Sequence, residues 1–483
     1  MIFNRKPKTE NRKLLLINPW IYDFAAYDFF ARPLGLLYLA GLLEGRGFQV
    51  HLMDCLDAPQ ARAGPYGAGR YPKEILPAPA PLTGIPRRYG RYGITEKAFI
   101  AQLSQVPRPW AILVTSLMTY WYPGVAAAIR LARQRFPETP VILGGIYATL
   151  CPGHARRHSG ADLVLTGPGE DAILAALLST ATLAGGWEGT LRGGRGTLTK
   201  NCPPALPSSP PLRSPLMREG QSGGENLTPA DLNSLPYPAL HLLRHLTFIP
   251  LLTSRGCPLD CAYCASRLLQ PHYRRRSPKA VAEELQYWQA RLNLQDAAFY
   301  DDALLVQAKD HFLPLLEELA RRGLHFRFHT PNGLHARFIN KEVALWLKRA
   351  NFRTLRLGVE TTEVGGARLD KKLAAGELEA AVACLGEAGF RREELGVYLL
   401  LGLPDQEEAE LAESIRQVKE LGATPVLAQY SPIPGTALWP RAVASSRYDL
   451  AAEPLYHNNS LFPCWPEFSW DRVTRLKRLA TGN

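Results

Sequence analysis

From Lys13 onward, short apolar runs alternate with amphipathic stretches. Residues 13–20 read Lys-Leu-Leu-Leu-Ile-Asn-Pro-Trp, a continuous apolar run ending in a polar turn, which fits a strand buried on both faces. A helical pattern over residues 33–46 then stops at Gly47. Further strands are predicted at 48–54, 110–117, 140–144 and 162–166, with the clearest helix at 124–136. Strands alternating with helices build an α/β domain, an open doubly wound parallel sheet, whose ligands sit beyond the carboxyl ends of the strands. The turns Asn18-Pro19-Trp20, Thr115-Ser116-Leu117, Gly144-Gly145-Ile146 and Thr166-Gly167-Pro168-Gly169-Glu170 all fall at such ends.

The same alternation resumes later, with strands predicted at 247–253, 296–300, 325–330, 354–359, 395–400 and 425–430 and helices between them. Six or seven such units make an open, partial barrel and fall short of eight. Two stretches break the rhythm. Residues 58–109 are rich in Pro, Gly, Arg and Tyr, including Arg87-Arg88-Tyr89-Gly90-Arg91-Tyr92; they read as a lid, a base-stacking surface or an arm packed on the neighbouring domain. The Gly, Pro and Ser bunch that follows the first domain reads as a linker. The expected division is a first domain at 1–184 with an irregular insertion at 58–109, a linker at 185–244, a barrel at 245–440 and a tail at 441–483. With 483 residues, more than one hydrophobic core is expected.

Composition changes this picture little. Hydrophobic residues at 46% and charged residues at 21% exclude wholesale disorder. No apolar run reaches 18 residues, so no transmembrane segment is predicted and a cytoplasmic location is expected. The net charge of +12 suits an anionic partner or simply a basic surface. Eight cysteines are too few for a disulfide scaffold, yet Cys257, Cys261 and Cys264 fall within one short loop after the first barrel strand. Three thiolates so spaced suit one iron–sulfur cube, and the iron left without a protein ligand is an open coordination position. The competing readings are a zinc knuckle short of its fourth ligand and buried free thiols.

At this motif, with Tyr263 just before the third cysteine, the chain resembles the radical S-adenosylmethionine (radical SAM) superfamily over roughly residues 248–440. The resemblance implies a 4Fe–4S cluster whose open iron chelates the amino and carboxylate groups of S-adenosylmethionine. It implies cleavage of the sulfonium to methionine and a 5′-deoxyadenosyl radical, fed by an external electron donor such as flavodoxin or ferredoxin. Tyr300-Asp301-Asp302 stands where the family carries a motif for the methionine amine, here in place of the commoner Gly-Gly-Glu. Which of Asp301 and Asp302 faces the ligand stays open. Asn332, Arg356 and Glu360 stand where the family places groups for the carboxylate and ribose hydroxyls, and Gly402-Leu403-Pro404 resembles the segment bordering adenine. For each, ordinary use in a turn or helix cap is the competing reading.

The first domain resembles the Rossmann-like, cobalamin-binding (B12-binding) domain that precedes the barrel in one radical SAM class. Thr115 and Ser116 match its Ser/Thr-bearing loop, and Gly144 and Gly145 the glycine pair that admits the corrin's nucleotide tail. Where cobalamin mutases carry Asp-x-His-x-x-Gly, this chain has Asn18-Pro19-Trp20-Ile21-Tyr22-Asp23, with Trp20 in the histidine's place. Cobalamin is therefore expected without a histidine ligand from that loop, and Trp20 is an expected cofactor contact; a domain that kept the fold and lost the ligand is the alternative. His154 and His158 read as packed or exposed residues rather than a metal pair. Together these features predict a radical SAM enzyme acting on a small molecule, with cobalamin-dependent methylation of an unactivated carbon as the leading reaction. The rivals are an RNA-modifying radical enzyme, a cobalamin-independent rearrangement or cyclisation enzyme, and a non-enzymatic cofactor sensor.

Overall fold

The computed structural model describes residues 12–59, 62–183, 231–363, 370, 372–465 and 467–482. Most of the expected linker, with Cys202, lies outside the described residues. Five parallel strands form the first sheet: Lys13–Asn18, Gln49–Asp54, Ala111–Val114, Val141–Leu143 and Leu163–Val164, in spatial order fifth, fourth, third, first, second. Leu15 and Ile17 pack into one flanking core and Leu14 and Leu16 into the other, which is why the first strand reads as an unbroken apolar run. The strand order reverses between Lys13–Asn18 and Ala111–Val114, and the crevice there is the natural ligand position.

The second sheet has six parallel strands in sequential order, Ile249–Leu251, Asp296–Phe299, Arg327–His329, Phe352–Glu360, Leu395–Leu401 and Thr424–Gln429, with the first and last unpaired to each other. This is an open (β/α)6 barrel. Alternation sorts its side chains: Phe299, Phe328, Leu355, Leu357, Val359, Val397 and Leu399 pack outward beneath the helices, with Phe299 stacked on Phe352 at 5.6 Å. Ala298, Tyr300, His329, Thr354, Arg356, Gly358 and Glu360 therefore share the inward face. Helices begin where capping residues sit, as with Ser277 for Pro278–Gln289 and Asn340 for Lys341–Arg349.

One expectation needs correction. The insertion at 58–109 is not irregular throughout: Lys73–Ile75 and Gly90–Tyr92 build an antiparallel sheet with Ile21–Asp23, and Glu96–Gln105 is a helix capped by Thr95. Tyr89, Arg91 and Tyr92 are buried within it; Arg91 pairs with Glu74 and Glu96, and the Tyr92 hydroxyl donates to the Phe24 carbonyl. These side chains are packed and cannot form the base-stacking surface their sequence resembled. The tail at 441–483, whose role the sequence left open, packs on the barrel. Its helix Trp470–Thr481 sends Val473, Leu476 and Ala480 into the barrel core together with Phe462 and Trp465. The signal was present as a Ser469 cap followed by apolar residues at helical spacing, but the aromatic and Pro-rich turns before it masked the pattern.

Among the described residues, no helix is long and apolar enough to cross a membrane. Because Leu476 is 2% exposed inside the barrel core, Leu476→Ala is expected to cost about 2–5 kcal/mol. Chemical denaturation followed by circular dichroism checks this, and a change near zero would show the tail to be dispensable to the core.

Candidate cofactor and active site

The cluster loop is built on a short antiparallel pair, Ser254–Arg255 with Arg274–Arg275, which holds its two ends together. Gly256 opens the loop in left-handed backbone (φ +77°), and a Cβ there would lie 2.6 Å from the His272 carbonyl oxygen. Only glycine fits both conditions. Cys257 and Cys261 are half-buried and Cys264 is exposed, with the Cys264 N–H donating to the Cys261 carbonyl at 3.1 Å. Burial pushes the Cys257 thiol up and the Cys261 thiol to about 12, and Cys264 lies near enough to add to both shifts.

Among the described residues, no three His, Cys, Asp or Glu side chains converge on a single ion-sized point. A mononuclear zinc knuckle would draw its thiolates to about 2.3 Å from one atom. A cube that gives each thiolate its own iron has no need of that convergence, and a set of three thiols on one loop fits it.

Above the loop, Asp301 is buried with both oxygens occupied. It accepts the Thr253 N–H at 3.1 Å, the Thr253 hydroxyl at 2.7 Å and the Ser254 hydroxyl at 2.6 Å. Its task is to fasten the start of the cluster loop to the adjacent strand. Asp302 is exposed at the surface and within electrostatic range of Cys257, although the protein around its carboxyl raises it to about 6 against a hydrogen bond with the Ser266 side chain. Of the two acids the sequence left undecided, Asp302 is the accessible one.

Glu360 ends its strand with φ +66°, rare for a residue bearing a side chain. Its Oε1 meets the Lys372 ammonium at 3.0 Å, and its buried Oε2 has no partner among the described residues. A strained residue with an orphaned buried acceptor is a mark of a ligand site. Lys372 lies over the Tyr263 ring at 5.4 Å, and the Tyr263 hydroxyl donates to Asp370 at 2.9 Å. Lys372 and Asp370 carry no motif spacing, so nothing in the linear pattern pointed to them. Arg356 points inward opposite Gly396, where a Cβ would stand 2.8 Å from its side chain, so that glycine keeps the space the guanidinium fills. Asn332 donates to the Tyr300 carbonyl at 2.7 Å. Gly402 donates its N–H to Gln406 at 2.8 Å beneath Phe462, and Pro404 is buried, so this turn is braced by the tail.

At the carboxyl end of the first sheet, the Ser116 hydroxyl donates to the Gly144 carbonyl at 2.6 Å and accepts the Ala148 N–H at 3.3 Å. Gly145 has φ +95°, and its Cβ position lies 2.3 Å from the Ser116 carbonyl oxygen. The turn is thereby rigid, while nothing stands within 4 Å of the Cβ positions of Gly144 and Gly167, which leaves open backbone on the ligand side. Thr115 is half-buried beside it, with its N–H bound to the Ile17 carbonyl. That cradle fits a ligand approaching the backbone closely.

Trp20 requires correction: it is 1% exposed, donates from Nε1 to the Ile94 carbonyl at 2.7 Å and packs 4.7 Å from Phe99. It is core rather than cofactor contact. Ser116 holds the turn from within rather than facing outward. His154 is bonded to the Tyr147 hydroxyl at 2.7 Å and stacked on His158 at 4.2 Å, and burial pushes it down to about 4. The ligand-facing ends of the two sheets are joined by an ion pair of 2.7 Å between Arg255, two residues before Cys257, and Glu170, in the first turn of the helix Gly169–Leu183 that follows the fifth strand.

Two family profiles match the chain: the Radical SAM superfamily over residues 251–418 and the B12 binding domain over residues 89–177. The chain belongs to the radical SAM superfamily, in the class with a B12-binding domain. These domains bring with them a 4Fe–4S cluster, S-adenosylmethionine and cobalamin. The B12-binding match takes in Tyr89 and the helix Glu96–Gln105, so the later part of the expected insertion belongs to the domain proper. This radical SAM chain is 24% identical over 354 residues to cytidylyl-2-hydroxyethylphosphonate methyltransferase of Streptomyces wedmorensis, covering 68% of the chain and 61% of the relative. It is 25% identical over 228 residues to an uncharacterized methyltransferase of Pyrococcus horikoshii, covering 45% and 48%. The match spans about half the length of these curated relatives. The radical SAM methyltransferase TsrM from Kitasatospora setae, solved with cobalamin and a 4Fe–4S cluster, shares the fold at TM-score 0.61 and 17% identity, over 97% of this chain and 89% of that one.

Gly256→Ala is expected to lower iron and sulfide content after anaerobic reconstitution while leaving the far-ultraviolet spectrum unchanged; full iron content would show that the loop tolerates a Cβ. Asp54, at the end of the second strand, is raised to about 6 by burial, which the Leu56 N–H and Asn18 partly offset. A carboxyl with a raised folded pKa binds more protons folded than unfolded, so stability falls as pH rises from about 4 to about 6. In thermal melts, Asp54→Asn should gain on the wild type through that window; equal pH profiles would refute the assignment.

Proposed function

We propose that this radical SAM enzyme transfers a methyl group to an unactivated carbon of a small-molecule substrate, using cobalamin as methyl carrier. The observation that carries this reading is the meeting of the two cofactor ends: the Gly144 and Gly167 cradle of the first sheet and the cysteine loop of the barrel are joined through Glu170 and Arg255. When bound, the cluster supplies the electron that cleaves the sulfonium of S-adenosylmethionine, and cobalamin supplies the methyl-carrying metal.

The chain's own part is to bind and orient. Cys257, Cys261 and Cys264 hold the cluster. Asp302 accepts from the ammonium of S-adenosylmethionine, Arg356 takes its carboxylate, and the free Oε2 of Glu360 accepts from a ribose hydroxyl. Lys372 holds the other oxygen of Glu360 and so keeps the acceptor aimed. Asn332 and the turn of Gly402 and Pro404 would border the same pocket, and Gly144 and Gly145 would admit the nucleotide tail. An external one-electron donor such as flavodoxin or ferredoxin is part of this reading, as is a cytoplasmic setting. Burial of Tyr89, Arg91 and Tyr92 weakens one of the two features that favoured RNA as substrate, and the net charge of +12 is the other.

Anaerobic reconstitution with iron, sulfide and hydroxocobalamin, followed by desalting and a visible spectrum, tests the reading. Retention of both corrin and cluster bands, with cleavage of added S-adenosylmethionine under a strong reductant, is expected. Cys261→Ala should lose the cluster and the cleavage and keep the corrin. A cluster without corrin would overturn cobalamin-dependent methylation and leave a rearrangement or cyclisation enzyme.

A further inference from the structure

Phe30 (φ +58°) and Tyr66 (φ +56°), both in the first domain, adopt left-handed backbone that bulky side chains rarely enter. Such strain persists only where the surroundings over-determine it. Both rings converge on one barrel residue, His329, which is completely buried on the inward face. Phe30 stacks on its imidazole at 4.5 Å and 21°, and Tyr66 lies at 4.9 Å. The imidazole is itself fixed, bonded to Asp296 and to the Thr354 hydroxyl, both at 2.9 Å. Asp296 is in turn held by Arg327, whose guanidinium lies over Tyr66 at 5.5 Å. Phe30 also meets Phe248 edge-on at 5.2 Å.

One layer nearer the mouth, the Tyr300 hydroxyl donates to the Phe30 carbonyl and accepts the Arg32 N–H at 2.9 Å. Tyr300 directly precedes Asp301 and Asp302, and its own carbonyl receives Asn332. A single side chain thus touches the first domain while its backbone sits in the S-adenosylmethionine pocket.

We propose that Phe30 and Tyr66 plug the barrel lumen as the floor of the reaction chamber, and that Tyr300 is the positioning residue that fixes the first domain's cobalamin end at a set distance from the cluster. The proposal rests on the cobalamin reading above. The plug closes the lumen beneath Arg356, so the substrate is confined between the barrel mouth and the first sheet, and water has no path from below.

The test is pulsed electron paramagnetic resonance on the reconstituted holoenzyme with cob(II)alamin and the reduced cluster, which reads the distance between the two spins. Wild type should give one narrow distribution. Tyr300→Phe, which removes only the hydroxyl, and Phe30→Gly, which keeps the left-handed backbone without the ring, should each shift and broaden it with corrin and iron content unchanged. An unaltered narrow distribution in both variants would overturn the proposal. Amide hydrogen exchange on the protein without added cofactors reads the plug separately: in Phe30→Gly, residues 27–33 should exchange roughly tenfold faster or more, while Leu395–Leu401 stays protected. If corrin fails to bind, the functional reading falls, and faster exchange still upholds the plug. Unchanged exchange would remove it.

Discussion

Asp301 carries a carboxylate into the barrel wall and is kept there by neutral donors, two hydroxyls and backbone N–H groups from Thr253 and Ser254. Burial raises its pKa, and those hydrogen bonds work against the shift. A buried acceptor so fully occupied is costly to disturb, because removing it strands donors at the root of the cysteine loop. Everything at the mouth hangs from this joint. Ser254 and Arg255 run from it to Gly256 and the three cysteines, Asp302 follows it in the turn beyond the strand Asp296–Phe299, and Tyr300 precedes it toward the first domain.

The two domains are joined by contacts of different character around that centre. Arg255 and Glu170 form a largely buried ion pair, whose worth lies more in direction than in stability, since each charge must be desolvated to make it. On the lumen side the contact is aromatic and strained, with Phe30 and Tyr66 clasping His329. On the far side the tail crosses from barrel to first domain. Asn458 donates to the buried Asp23, which also accepts from Trp121, and His457 meets Thr119. An open barrel has two free edges, and a neighbour fastened at several points is what makes its lumen a closed chamber rather than a groove.

Much of this was written in local pattern. Strand and helix alternation, the apolar runs of both sheets, and the spacing of Cys257, Cys261 and Cys264 depend on neighbours a few residues away, so they survive in a linear reading. The same holds for Gly144 and Gly145 at a strand end. Trp20 misled because its place in a motif said nothing of its surroundings: Phe99 and Ile94, which bury it, are more than seventy residues distant. The place of the tail was not legible for a similar reason, since its aromatic residues are partners of strands far earlier in the chain.

The sequence by itself determined the two α/β sheets, the place of their ligand-facing ends and the thiol set that suits a cluster, because period, propensity and ligand spacing are local properties of the chain. Tertiary structure alone decided which acid is exposed at the mouth, that Lys372 and Asp370 join Glu360 and Tyr263, and that Tyr89, Arg91 and Tyr92 are packed rather than displayed. Those outcomes depend on which distant groups compete for each hydrogen bond and each patch of apolar surface, and that competition is settled only when the domains close on one another.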